Sequence, residues 1–276
     1  PAARSGVNNQ IKRSRVRRLG NVRRRFRIRD VLILFDVDLS DPTRAVTPTL
    51  DGPVLAVLAA AGKPLTVGQV AGQAARGSEI GIRRSLARLI EQGIVRATLM
   101  GRNQVHELNR DHVAARVADL LADLRPDLWR RFRAELASWR PRPLYACVFG
   151  SAARADGDES SDIDLLLVHP PFPGEKKPQR LAAGILSQVA DALGDFAVAR
   201  PDDPAAEKWQ EQVDRLRGLV ERWTGNPLQV VDLSFFEWRH PAKTHQSLLR
   251  EVQRDGVELI KSNPLLSLPK VELTSG

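Results

Sequence analysis

The chain is short of several residue types, and each scarcity excludes something. Its 276 residues include one cysteine, Cys147, one methionine and one tyrosine. A single cysteine rules out an internal disulfide and any multi-cysteine metal site. Cys147 falls in an apolar run and is expected to be inert packing. No apolar run approaches the ~20 residues that a membrane-spanning helix needs. Residues 31–35 are apolar and follow an arginine-rich segment, but they are too few for the ~7–15-residue core of a signal peptide. No internal repeat is visible. These absences point to a cytoplasmic, globular protein with no membrane partner.

What is present begins with charge. The net charge is +9, yet residues 1–36 hold 11 of the 42 basic residues and 2 of the 33 acidic ones, so the remainder is balanced. The high isoelectric point therefore belongs to a leading basic arm. Such an arm can bind nucleic acid electrostatically; a solvated tail is the equal alternative. The chain begins without methionine, and Val37 is a candidate alternative start.

After the arm, Asp51-Gly52-Pro53 opens a helix with proline in its first turn, and Gly62 closes it. Thr66 is positioned to cap a second helix over 67–75, and Ser78 a third over 79–92. In the third, Ile82, Leu86, Leu89 and Ile90 keep helical spacing. Residues 94–99 and 104–108 read as two strands around the turn Met100-Gly101-Arg102-Asn103. Three helices and a hairpin of this size resemble a winged helix-turn-helix. The third helix of such a domain usually enters the major groove. Arg83, Arg84 and Arg88 on that helix and Arg102 on the wing are then the candidate DNA contacts. A protein-docking or dimerisation module is the alternative.

Residues 111–124 and 126–139 carry two amphipathic stripes and are expected to be two helices, separated at Pro126. The first stripe is Val113, Val117, Leu120, Leu121 and Leu124; the second is Leu128, Trp129, Phe132 and Leu136. Further on, helices are expected over 181–193, 204–224 and 247–255, and strands over 196–199, 228–234 and 257–260.

The densest chemistry lies between these. Residues 144–149 form an apolar strand, and Gly150 supplies a turn that leaves room for a ligand. Ser151 starts a short helix whose free N–H groups suit phosphate. After an acidic loop, Asp162 and Asp164 stand two apart, so their carboxylates leave one face of a strand. Paired carboxylates repel each other, and a shared Mg²⁺ relieves that repulsion while keeping phosphate oxygens as ligands. His169, at the end of that strand, is expected to be an ordinary solvated histidine.

The stretch Phe149-Gly150-Ser151, ten residues, then Asp162-Ile163-Asp164-Leu165, resembles the signature of the DNA polymerase β-like nucleotidyltransferases. It is most similar to the minimal and antibiotic-adenylylating bacterial members, which often read Gly-Ser-x-Ala-Arg-Gly; here Ala155 follows Arg154. The resemblance implies NMP transfer from an NTP donor, with two Mg²⁺ ions, to a hydroxyl on a protein, an RNA or a small molecule. It implies that Gly150, Ser151 and Arg154 hold the nucleotide. It also implies that Asp162, Asp164 and a third acid, Asp232 on the strand 228–234, hold metal and carry catalysis. A regulator or antitoxin whose transferase domain only senses nucleotide is the rival. The expected fold is α+β. A basic arm spans 1–36, a winged helix-turn-helix 37–110, a linker helix 111–125, an α/β nucleotidyltransferase domain with a mixed sheet 126–262, and a loose tail 263–276.

Overall fold

The computed structural model describes residues 37–157, 161–172, 204–239, 241–242 and 245–260. The expectations for the basic arm, the helix at 181–193, the strand at 196–199 and the tail lie outside the described residues. Elements are numbered over the described residues.

The N-terminal part contains α1 (Asp51–Ala61), β1 (Leu65–Thr66), α2 (Val67–Gln73), α3 (Glu79–Glu91), β2 (Val95–Met100) and β3 (Asn103–Leu108). The capping residues act as expected. Thr66 and Gln69 form a reciprocal capping box on α2, and Ser78 accepts the Gly81 amide at the start of α3. These bonds satisfy amides that have no partner within the helix. The short strand β1 is additional; it pairs with β3, giving an antiparallel sheet in the order β1-β3-β2.

The expected break at Pro126 does not occur. One helix, α4 (Ala115–Ser138), runs through the proline. Proline removes one helical hydrogen bond and crowds the preceding turn, at a cost of about 3 kcal/mol. Packing on both sides offsets it. Ala115, Ala118 and Leu121 are buried in the N-terminal core, and Leu128, Trp129, Phe132 and Leu136 in the C-terminal core. Both cores hold the same helix, so it cannot bend away at one end without emptying a core. The expected N-terminal stripe is also corrected: Leu121 is buried, whereas Val113, Val117, Leu120 and Leu124 are exposed.

The C-terminal part is built on β4 (Tyr145–Phe149), α5 (Gly150–Arg154), β5 (Ile163–His169), α6 (Ala205–Thr224), β6 (Leu228–Ser234), α7 (Phe235–Arg239), α8 (Gln246–Asp255) and β7 (Val257–Ile260). Its mixed sheet has the order β6-β5-β4-β7, with β5 and β6 parallel and the other pairs antiparallel. Strand alternation divides this sheet between two cores. Ile163, Leu165, Leu167, Ala146 and Val148 face α4 and α6. Leu166, Val168, Tyr145, Cys147 and Phe149 face α7 and α8. Val37 and Leu39 pack on the first of these cores, and the Val37 amide donates to the Thr224 carbonyl at 2.8 Å. The segment at 37–39 thus belongs to the C-terminal core rather than to the helix–hairpin unit that follows it. Among the described residues no helix is long and apolar enough to cross a membrane.

Replacing the interior proline should stabilise the chain. Pro126→Ala restores an N–H for the Ala122 carbonyl and relieves the crowding, so a gain of about 1–3 kcal/mol is expected. Chemical denaturation checks it; a loss of stability would mean that the proline is required for the path of α4.

Candidate active site

The site is built where β4 passes into α5 beside the start of β5. Gly150 has φ 71°, a backbone that side chains other than glycine's tolerate poorly. A second constraint comes from across the sheet. Phe149 is in register with Asp164, and a Cβ on Gly150 would lie 2.5 Å from Asp164 Oδ2. The missing side chain therefore lets a carboxylate sit against the turn. Ser151 follows in the first turn of α5, and its Oγ would lie 3.0 Å from a Cβ on Gly157. The end of α5 explains the departure from the usual motif. Ala155 has φ 61°, so it occupies the left-handed conformation that glycine takes most cheaply.

Asp162 and Asp164 come together as expected. Asp162 lies just ahead of β5, and the Nε2 of Gln229 donates to its Oδ2 at 3.4 Å. Asp164 points to the face shared with α8. Burial and the repulsion of Asp162 and Glu251 push its carboxyl up to about 6, with Arg154 opposing. Arg154 is already engaged by carboxylates: its Nε donates to Asp156 at 2.8 Å, and its Nη1 lies 3.6 Å from Asp255.

Asp232 does not join the pair. The parallel register sets Asp164 beside Gln229 and Asp232 beside Leu167. Side chains in register share a face, and alternation then puts Asp232 on the opposite face of the sheet from Asp162 and Asp164. There it accepts the indole N–H of Trp209 at 2.8 Å. It keeps solvent access on the edge strand, yet partial burial raises its carboxyl above the ordinary value, while Trp209 and His169 oppose the rise. Its expected place as third metal carboxylate is therefore corrected. His169 belongs to this second cluster too. It is buried rather than solvated, stacks on Phe172 with ring centres 4.3 Å apart, and tilts against Trp209. Gln229 and Glu251 are the neighbours of the pair that sequence alone did not single out. Counting by twos from the buried Leu233 gives Gln229 its face, but only the strand pairing gives it its partner. Cys147 is buried, and burial raises its thiol to about 11, which suits packing rather than nucleophilic chemistry.

Two carboxylates on one face are the hard oxygen donors that Mg²⁺ takes, with phosphate and water completing its shell. Among the described residues no group of three or more His, Cys, Asp or Glu side chains is arranged to hold an ion without such help. This donor set fits a metal that arrives with a nucleotide.

Residues 108–220 match the family model of the nucleotidyltransferase domain. A nucleotidyltransferase domain implies a transferase enzyme. The matched segment of this transferase contains the Gly150 turn, Ser151, Asp162 and Asp164, and it ends before β6 and Asp232. It also takes in the whole of α4, including the stretch expected to be a separate linker. No curated protein matches the chain.

The exposed arm of Asp164's titration gives a pH test. Unfolded, an aspartate ionises near 4; folded, Asp164 does so at about 6. Between these values the folded chain holds the extra proton, so metal-free stability falls as pH rises from about 4 to about 6, then levels off. Asp164→Asn should flatten that fall, giving a higher melting temperature than the parent at neutral pH and little change at pH 4. At the other end of the turn, Ala155→Gly should be neutral or stabilising by up to about 1 kcal/mol, because relief of the left-handed strain is partly offset by unfolded-state entropy. Ala155→Val should lose more than that, and thermal melts of both variants check the strain at α5.

Proposed function

We propose that the transferase moves a nucleoside monophosphate from an NTP to a hydroxyl acceptor and releases pyrophosphate. The observation that carries this reading is the approach of Asp164 to the Gly150 turn, with Asp162 beside it on the same face. Gly150 and Ser151 hold the triphosphate through backbone N–H groups and the hydroxyl. Asp162 and Asp164 hold it indirectly, by binding the metal that its phosphates share. Two Mg²⁺ ions, when bound, supply charge stabilisation to the attacking and leaving oxygens. The side chain of Gln229 orients Asp162, and Asp164 sits half-buried against the Gly150 turn. The acceptor hydroxyl oxygen attacks the α-phosphorus and gives up its proton to water, and the bond from that phosphorus to the bridging oxygen breaks as pyrophosphate leaves.

For the N-terminal part we infer a winged helix-turn-helix that contacts DNA. Support comes from its element order, helix-strand-helix-helix-strand-strand, and from Arg83, Arg84 and Arg102 lying exposed on α3 and the β2–β3 turn. Arg83 also pairs with Glu79 at 3.1 Å. Arg88 is drawn into an ion pair with Asp51, so it ties α3 to α1 and is the weakest of the four candidates.

The reaction is tested by incubating the protein with each NTP and Mg²⁺ and measuring pyrophosphate release. Asp162→Ala and Asp164→Ala should each lose activity by at least about a hundredfold while remaining folded. Asp232→Asn, on the far face, should retain it within a few-fold. Full activity in either first-named variant, or complete loss with Asp232→Asn, would overturn the assignment.

A further inference from the structure

A hollow of about 430 Å³ lies where α1, the segment 40–43 and the middle of α4 meet. Its volume is in the range of small-molecule sites, which favour junctions between packed units. Small side chains keep it open: Ala56, Val57 and Ala60 on α1 and Ala122 on α4 line it. Among the described residues the one basic group on its wall is Arg125 of α4. This arginine is half-buried. Its Nη2 donates to the carbonyls of Ala152 at 2.5 Å and Ala153 at 2.8 Å, and its guanidinium lies 5.9 Å from the centre of the Trp129 ring. Its Nε is closed off from solvent without an acceptor. Arg130 and Arg131, further along the same helix, are paired with Asp123 and Asp127; Arg125 has no carboxylate partner among the described residues. Carbonyls and an indole face carry no net charge, so they offset only part of the cost of burying a cation. Burial accordingly depresses the guanidinium below its usual value. The acid on the wall, Asp41, is already engaged by Arg76 and by the Thr43 hydroxyl. The hollow therefore holds one uncompensated positive charge among apolar side chains.

We propose that this hollow binds a small monocarboxylate with a compact apolar body, its carboxylate on Arg125 and its body between α1 and α4. The carboxylate accepts from Nη1, which no described residue engages. Gln73, exposed on the same wall, offers a second side-chain donor. A phosphate monoester fits less well, because its second negative charge would face Asp41. The site stands apart from Asp162 and Asp164. Arg125 joins it to the last turn of α5, the helix that begins at Gly150.

Calorimetric titration of the full chain with straight-chain carboxylates, without nucleotide or metal, tests the site. Affinity should rise about fourfold per methylene from acetate to hexanoate, as each group leaves water. Hexanamide, the same body without the charge, should bind at least about tenfold more weakly. Ala56→Leu puts a larger side chain into the hollow and should abolish hexanoate binding with little change in melting temperature. Arg125→Met should remove the preference for hexanoate over hexanamide. Hexanoate that shows no binding at roughly 10 mM overturns the proposal. So does hexanoate binding that survives Ala56→Leu, or an equal affinity for hexanamide in the parent. Tighter binding of hexyl phosphate than of hexanoate would overturn the choice of a carboxylate.

Discussion

Everything about the candidate site depends on β5 being covered on both sides. A strand with one wet face can carry polar residues on alternate positions freely. Here Leu165 and Leu167 are sealed by α4 and α6, and Leu166 and Val168 by α7 and α8. The only room for charge is at the start of the strand, where it emerges beside the β4–α5 turn. Asp162 and Asp164 sit there, and Gly150 lacks the side chain that would displace Asp164. The raised Asp164 carboxyl has the same origin, since a charge at the rim of a two-sided core is partly desolvated and has a like charge beside it.

The same constraint separates two polar clusters that look like one in the sequence. Asp232 and His169 fall on the α6 side of the sheet, gathered by Trp209. Asp162 and Asp164 fall on the α8 side. A three-acid centre requires the third acid to share a face with the other two, and the residue of β6 that does so beside Asp164 is Gln229. An amide donates where a carboxylate accepts, so Gln229 relieves the charge of Asp162 rather than adding to the repulsion. Among the described residues the donor set offered to a metal is thus a pair, with phosphate oxygens to complete the coordination.

Local signals in the sequence were sound wherever the local rule and the packing agree. Thr66 and Ser78 cap the helices they precede, the Gly150 turn leads into a short helix, and the strand holding Asp232 has the expected bounds. Two features were not legible. The parallel pairing of β5 with β6 joins segments some sixty residues apart, so no count of residues gives its register, and the parity of Asp232 against Asp164 depends on that register. The continuity of α4 likewise could not be read at Pro126, because proline argues correctly for a break on local grounds. What overrides it is burial of Leu121 on one side and Leu128, Trp129 and Phe132 on the other.

That override also decides which surface is left bare. A helix ending at Pro126 could rotate so that Val117, Leu120 and Leu124 meet the N-terminal core, as their amphipathic spacing suggests. A helix fixed beyond the proline by Trp129, Phe132 and Leu136 has no such freedom. Its rotation is set by the C-terminal core, and the N-terminal core receives whatever that phase presents, which is Ala115, Ala118 and Leu121. The larger residues are turned outward. Two alanines and one leucine facing the core, with Val117, Leu120 and Leu124 facing out, is not what a solitary amphipathic helix adopts, and it follows from one rigid helix serving two cores at once.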